Sequence, residues 1–240
     1  MLAGVGTAWY TWLEQGRDVR PSLDVLAAVA DALRLDPAER RHLFLLCDRP
    51  VPQAQTKNPE QVDAPLRRML DSLTAQPALV LGRRWDILAW NRAADAVYGP
   101  YDRLRGDERN MLHLVFADPD HRRLLIDWQA VAKSAIAMFR SDYARYAGNA
   151  EFERLLAHLT QLSPEFARWW PMREVAAPLA GRKRLDHPTA GRMEFEYSSF
   201  HVGDQPDMKL IVFTPLEADG TTNKLLRLLA ESDRANSASC

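Results

Sequence analysis

The apolar positions change period along the chain, and the change separates helix-forming from sheet-forming stretches. Near the start, Trp9, Tyr10 and Leu13 fall on one helical face, while Thr7, Ala8, Thr11, Trp12 and Gln15 share the other. This predicts a short helix from Thr7 to Gln15, closed by Gly16, where a left-handed cap costs glycine little. Ser22 is placed to cap a second helix reaching about Leu35. Asp36-Pro37-Ala38-Glu39 opens a third, with proline in the first turn and Glu39 completing a capping box. Between Asp48 and Val62, Pro50, Pro52 and Pro59 stand among Gln, Thr, Lys and Asn, the composition of a linker.

A second pattern begins at residue 63. Ala64 to Leu73 is a helix, Ala78-Leu79-Val80-Leu81 a strand, Gly82-Arg83-Arg84 a turn and Ile87-Leu88-Ala89-Trp90 its partner strand. Asn91 caps a helix ending near Gly99. From Arg122 to Ala147, Leu125, Trp128, Ala132, Ala135, Phe139, Tyr143 and Tyr146 recur at steps of three and four, predicting one long helix. Phe152, Leu155, Leu156, Leu159 and Leu162 mark the next, and Ser163-Pro164-Glu165-Phe166 starts another, carrying Trp169 and Trp170. The period then drops to two. Met193, Phe195 and Tyr197 alternate with Glu194, Glu196 and Ser198, and Leu210-Ile211-Val212-Phe213 is apolar throughout, as a central strand is. Lys183 to His187 joins this system through the Pro188-Thr189-Ala190-Gly191 turn, with His187 read as a hairpin device.

The expected fold class is α+β: a small all-α module over 1–47, a linker over 48–62, and a domain over 63–230 with about five antiparallel strands and inserted helices. Glu231 to Cys240, rich in Ser, Asn and Ala, is expected to be a disordered tail.

Composition narrows the classes. The chain has 240 residues, 47% apolar and 26% charged, which fits an ordinary globular protein rather than a disordered one. Two cysteines, Cys47 and Cys240, are too few for a disulfide framework and point to a reducing, cytoplasmic setting. No apolar run approaches the roughly 20 residues of a membrane span, so no membrane partner is expected. Net charge is −1 overall, and residues 1–50 also carry −1, from six arginines and seven carboxylates. A DNA-binding segment is usually basic, so cations from elsewhere, or a dimer concentrating those present, are expected to help.

The division of the first helix into a packing and a polar face suits a recognition helix in a major groove. On that basis Thr7, Ala8, Thr11, Trp12 and Gln15 face bases, and Arg17 and Arg20 hold phosphates. The run Leu2-Ala3-Gly4-Val5-Gly6 through Tyr10-Thr11-Trp12-Leu13-Glu14-Gln15-Gly16-Arg17, then Arg20-Pro21-Ser22, resembles the Cro/phage-repressor (XRE) helix-turn-helix family, and within it the MmyB-like transcription regulators. In that family a first helix and nearly all of a second precede the position held here by Met1. The expectation is therefore a partial module, truncated or begun at an internal start.

The larger domain carries a matching resemblance. Strand, turn, strand and Asn-x-Ala before a short helix, carried by Ile87, Trp90, Asn91, Ala93, Tyr98 and Gly99, resemble the opening of a PAS domain. Trp85-Asp86-Ile87-Leu88-Ala89-Trp90-Asn91, Asn110-Met111-Leu112, Ser163-Pro164-Glu165-Phe166 and His187-Pro188, in that order, resemble the ligand-binding domain of the same regulators. The resemblance implies a one-component transcription factor, binding double-stranded DNA as a homodimer, whose PAS-like sensor takes a small apolar, fatty-acid-like ligand. The alternative is a ligand-binding or dimer-modulating protein that no longer binds DNA because its N-terminus is short.

For the sensor pocket, Trp90, Trp128, Phe139, Tyr143, Phe166, Trp170, Phe195, Tyr197 and Phe213 are the candidate ligand-binding residues, each weighed against simple core packing. Arg140, Arg173 and Tyr197 are candidates for orienting a carboxylate head. His113 and His121, near Asp118 and Asp120, have no spacing that sets three ligands on one helical face and are taken as solvated loop residues. No glycine-rich phosphate loop, Gly-x-Ser-x-Gly elbow or Cys-x-x-Cys occurs, so no catalytic residue, metal or cofactor is expected.

Overall fold

Short polar side chains start the helices where their positions predict. The computed structural model describes residues 11, 15, 21–47, 60–146, 148–172, 181–203 and 205–237, in two units that divide between Pro59 and Glu60. In the first unit, Ser22 Oγ accepts from the Val25 N–H and starts α1 (Leu23–Ala32). This helix ends three residues before the expected Leu35. Arg34 turns left-handed at φ 52°, and the Leu35 N–H closes onto the Ala30 carbonyl. Asp36 and Glu39 form the capping box of α2 (Pro37–Leu46), each side chain accepting from the other's backbone N–H at 2.9 Å. Leu26, Val29, Ala30 and Phe44 are buried in this unit.

The second unit is a five-stranded antiparallel sheet with helices between β2 and β3. Its elements are α3 (Ala64–Ser72), β1 (Ala78–Leu81), β2 (Ile87–Trp90), α4 (Arg92–Tyr98), α5 (Met111–Phe116), α6 (Pro119–Leu124), α7 (Trp128–Tyr143), α8 (Ala150–Leu162), α9 (Pro164–Trp169), β3 (Arg182–His187), β4 (Gly191–Val202), β5 (Gln205–Pro215) and α10 (Thr221–Ser237). The strand order is β2-β1-β5-β4-β3, and β5, which carries the apolar run Leu210 to Phe213, is central as expected.

The inner face is packed along the sheet and the outer face over β2, β1 and β5, while outward residues of β4 and β3 such as Glu196, Phe200 and Arg184 are exposed. The outer face, Ala78, Val80, Ala89, Met208 and Leu210, packs with Leu70 of α3. The inner face, including Leu79, Leu81, Leu185, Met193, Phe195 and Phe213, joins the main core with α4 to α10.

Two expectations need correction. The stripe from Arg122 to Ala147 is not one helix: α6 stops at Leu124, and the next residues turn to meet β3. Leu125 bridges Leu185, and the Ile126 N–H donates to the Arg184 carbonyl at 3.2 Å, so sheet pairing takes precedence over helical continuity. Residues 231–237, expected as part of the tail, continue α10. Arg92 helps hold them, pairing with Asp233 and donating to the Leu229 carbonyl.

Asn91 fastens several elements at once. Its Oδ1 accepts from the N–H of Ala78 and of Ala94, both at 2.9 Å, and its Nδ2 donates to the carbonyls of Leu73 at 2.7 Å and Gln76 at 2.8 Å. One buried amide thus joins the end of α3, the start of β1 and the first turn of α4. Asn91→Ala strands buried donors and acceptors and is expected to destabilise the unit by roughly 3 kcal/mol or more. Urea unfolding measures this, and a loss within about 0.5 kcal/mol contradicts the role.

Candidate functional site

Strand alternation decides which side chains reach the interior of the sheet unit. On β3, Lys183 shares its face with buried Leu185, while Arg182, Arg184 and Asp186 are exposed. On β5, Lys209, Ile211 and Phe213 take the inner face, and Met208 and Leu210 the outer. On β4, Tyr197 and Ser199 follow Met193 and Phe195. Opposite them, Val131, Ser134, Ala135 and Met138 form one face of α7 at helical spacing.

A cavity of about 120 Å³ lies between these surfaces. Its walls are Leu81, Trp85, Met111, Val115, Val131, Ala135, Met138, Tyr197, Ile211 and Phe213, with Ser134, Ser199, Arg182, Lys183 and Lys209 as the polar members. Trp85 holds its place at a cost, since a φ of 67° is unusual for a bulky residue. Its ring meets Phe139 edge-on at 5.4 Å, and its indole N–H donates to Asp142 at 2.9 Å. The same carboxylate accepts from Lys209 and pairs with Arg145 at 3.0 Å. Lys209 therefore has a counter-ion.

Lys183 is placed differently. Its Nζ lies 5.2 Å from the centre of the Phe213 ring and 5.6 Å from that of Tyr98, and among the described residues no carboxylate pairs with it. Desolvation by burial pushes this ammonium down to about 8.

Behind Lys183 lies a second, more polar cavity of about 710 Å³, lined by Asp95, Tyr98, Asp118, His121, Asp186 and His187 among others. Tyr98 packs on Phe213 at 5.3 Å and on His121 at 6.0 Å, so a thin aromatic wall separates the two spaces. His121 is not the solvated loop residue expected. It is 5% exposed, on α6, where the Asp118 side chain accepts from its backbone N–H and caps the helix. Among the described residues neither of its ring nitrogens, nor the Tyr98 hydroxyl, has a hydrogen-bond partner. Burial, assisted by Lys183, pushes His121 down to about 3. His187 Nδ1 accepts from the N–H of Thr189 and Ala190 at 3.2 and 3.1 Å, which shapes the β3–β4 turn.

Of the nine aromatic candidates, Tyr197 and Phe213 line the first cavity. The other seven are placed elsewhere. Phe139, Tyr143, Phe166 and Trp170 pack against one another and against Phe152, joining α7, α8 and α9. Trp128 donates to the Val115 carbonyl at 2.7 Å, Phe195 is fully buried, and Trp90 lies against Tyr101 under Arg109. Arg140 donates to the carbonyls of Trp169 and Trp170, and Arg173 lies outside the described residues. Sequence reasoning missed Trp85, Lys183, Lys209 and Asp142. Alternation on β3 and β5 was the available signal for the two lysines.

Of the candidate DNA-contacting residues, Thr11 and Gln15 are described. Both are exposed, and the Gln15 N–H donates to the Thr11 carbonyl at 3.0 Å, one helical turn. Thr7, Ala8, Trp12, Arg17 and Arg20 lie outside the described residues.

A helix-turn-helix domain model matches residues 1–43, and the model of the MmyB-like transcription regulator ligand binding domain matches residues 62–229. A DNA-binding motif followed by a ligand-binding domain defines a transcription regulator. The chain belongs to the MmyB-like transcription regulators. A comparison with curated proteins found no match. Among the described residues no helix is long and apolar enough to cross a membrane.

The buried neutral histidine sets a pH dependence. Unfolded, His121 takes up a proton below about 6.5, whereas in the folded chain it resists until about 3. Stability is therefore present above 6.5 and is lost as pH falls toward 3, by about 1.4 kcal/mol per pH unit for this one proton. Urea unfolding at pH 7 and pH 5 is expected to show a smaller drop for His121→Leu than for the wild-type chain. Equal drops contradict the assignment.

Proposed function

We propose that the chain is a one-component transcriptional regulator whose smaller, lysine-lined cavity takes a small apolar, fatty-acid-like ligand, and that occupancy sets DNA binding. The cavity itself carries this reading: ten apolar walls, with Arg182, Lys183 and Lys209 among its lining to meet an acid's head. On the DNA side, Thr7, Ala8, Thr11, Trp12 and Gln15 face bases while Arg17 and Arg20 hold phosphates. Two heads in a homodimer read half-sites about one helical turn apart. A ligand acts only through unequal affinity for two arrangements, and here those differ in head spacing. The expected compartment is the cytoplasm, where the operator lies.

The ligand half is tested by denaturing extraction with mass spectrometry and by thermal unfolding with decanoic acid. A bound acid at 100 times its Kd adds about 2.7 kcal/mol of stability. Ala135, 5% exposed on the cavity face of α7, becomes a plug as Ala135→Trp, and this variant should lose the shift. Affinity should also fall as pH rises through about 8, because Lys183 then loses its charge. No recovered acid together with no shift rejects the ligand reading. For the DNA half, selection from random duplexes is expected to yield a sequence whose gel shift weakens in Arg17→Ala and responds to decanoic acid. Failure to retain any duplex rejects direct regulation.

A further inference from the structure

Lysine is scarce in this chain. Of 31 lysine and arginine side chains five are lysine, namely Lys57, Lys133, Lys183, Lys209 and Lys224. Two of these five, Lys183 and Lys209, line the same small cavity. For charge, or for a forked grip on a carboxylate, arginine serves better, and this chain supplies it almost everywhere else. Lysine alone offers an amine that gives up its proton and then attacks a carbonyl.

The two lysines are prepared for different tasks. Asp142 accepts from Lys209 and supplies it with a counter-charge. The Lys183 Nζ lies over the neighbouring rings of Phe213 and Tyr98, to one side of both, with no carboxylate partner among the described residues. The other polar cavity members, Arg182, Lys209, Ser134 and Ser199, include no acid. From α6, His121 also faces Lys183, and a second positive charge is disfavoured there. An amine desolvated by burial beside aromatic rings is a setting that activates lysine toward carbonyls.

We propose that Lys183 captures an apolar aldehyde in this cavity as a reversible imine, which rests on the cavity being the ligand site. The neutral Nζ attacks the carbonyl carbon, a C–N bond forms as the C=O π bond breaks, and a proton passes from the nitrogen to the oxygen to give a carbinolamine. Loss of water then leaves a C=N bond, and hydrolysis returns amine and aldehyde without oxidant or reductant. With its ammonium pushed down to about 8, half of the Lys183 side chains are neutral at that pH. For an ordinary lysine the share is about one in three hundred. Leu81, Met111, Val115, Met138 and Ile211 offer walls for an unbranched chain.

The experiment incubates the full chain with decanal at pH 8, reduces with cyanoborohydride and maps the adduct by mass spectrometry. One alkyl group per chain is expected on Lys183, at least tenfold above Lys133 and Lys224. Lys183→Arg should lose it, with folding checked by thermal unfolding, and Ala135→Trp should lose it by filling the space while Lys183 remains. Alkylation spread over the lysines according to their exposure overturns the proposal. So does wild-type protein that decanoic acid stabilises but decanal leaves unmodified at Lys183, a result that keeps the ligand reading intact. Should neither compound engage the protein, both readings fall.

Discussion

A strand presents its side chains to two faces in turn, and over β1 and β5 both faces pack against buried apolar residues, so Leu79 and Val80, like Ile211 and Leu210, are committed to opposite interiors. The register leaves little freedom. β5 is paired on both sides, with Ile211 opposite Leu79 and Ser199, and a slip of one residue would exchange Lys209 and Ile211 for Met208 and Leu210. The cations of the cavity are therefore placed by the same hydrogen-bond ladder that forms the sheet. A lysine at an inward position is expensive in a domain core. The structure meets that expense for Lys209 through Asp142. For Lys183 it offers the faces of two aromatic rings, a weaker substitute that leaves the amine desolvated.

This division of labour explains which parts of the site were legible in the sequence. Alternation along Met193, Phe195 and Tyr197, and the continuous apolar run Leu210 to Phe213, announced the sheet, because burial on one or both faces writes itself directly into residue type. Aromatic rings at helical spacing announced the helices but not the cavity. Phe139, Phe152, Phe166 and Trp170 are large enough to fill the space between helices, and they do so, stacked or tilted at centroid distances of 5.6 to 6.0 Å. A cavity needs the opposite, small or flexible side chains that leave room, and α7 supplies Ala135, Val131 and Met138 on its sheet-facing side. These residues look unremarkable in a sequence. Lys183 and Lys209 stand out no more in the sequence, although alternation places Lys183 on the face of buried Leu185 and Lys209 on that of Ile211 and Phe213.

Where helix and strand compete for one segment, the sequence pattern cannot decide. Leu125 lies on the stripe that leads into Trp128, and helical periodicity carries straight through it. Its partner is Leu185, 60 residues away in the chain, and pairing with β3 stops α6 and sets α7 off afresh. That break matters for the site: Asp127, at the start of α7, takes both Nε and Nη2 of Arg184, on the strand that carries Lys183. The helix roofing the cavity and the strand flooring it are joined at this corner.

The cavity also has a mechanical neighbour. Glu60, which opens the sheet unit, accepts from the Arg83 N–H at 2.8 Å, and its Oε2 lies 2.6 Å from where a β-carbon on Gly82 would stand. A side chain at Gly82 would displace that carboxylate from its place against the β1–β2 turn. Leu81 and Trp85, on either side of Arg83 and Arg84 in the same turn, are cavity walls. Trp85 is held at an unfavourable backbone angle by its contacts to Phe139 and Asp142, and Asp142 also holds Lys209. A molecule in the cavity thus touches a turn that is strained on one side and clasped by the entering chain on the other. Any change at Trp85 or Lys209 is felt at Asp142, and any change in the turn is felt at Glu60. The cavity wall and the residue that opens this unit thus meet at one turn, between β1 and β2.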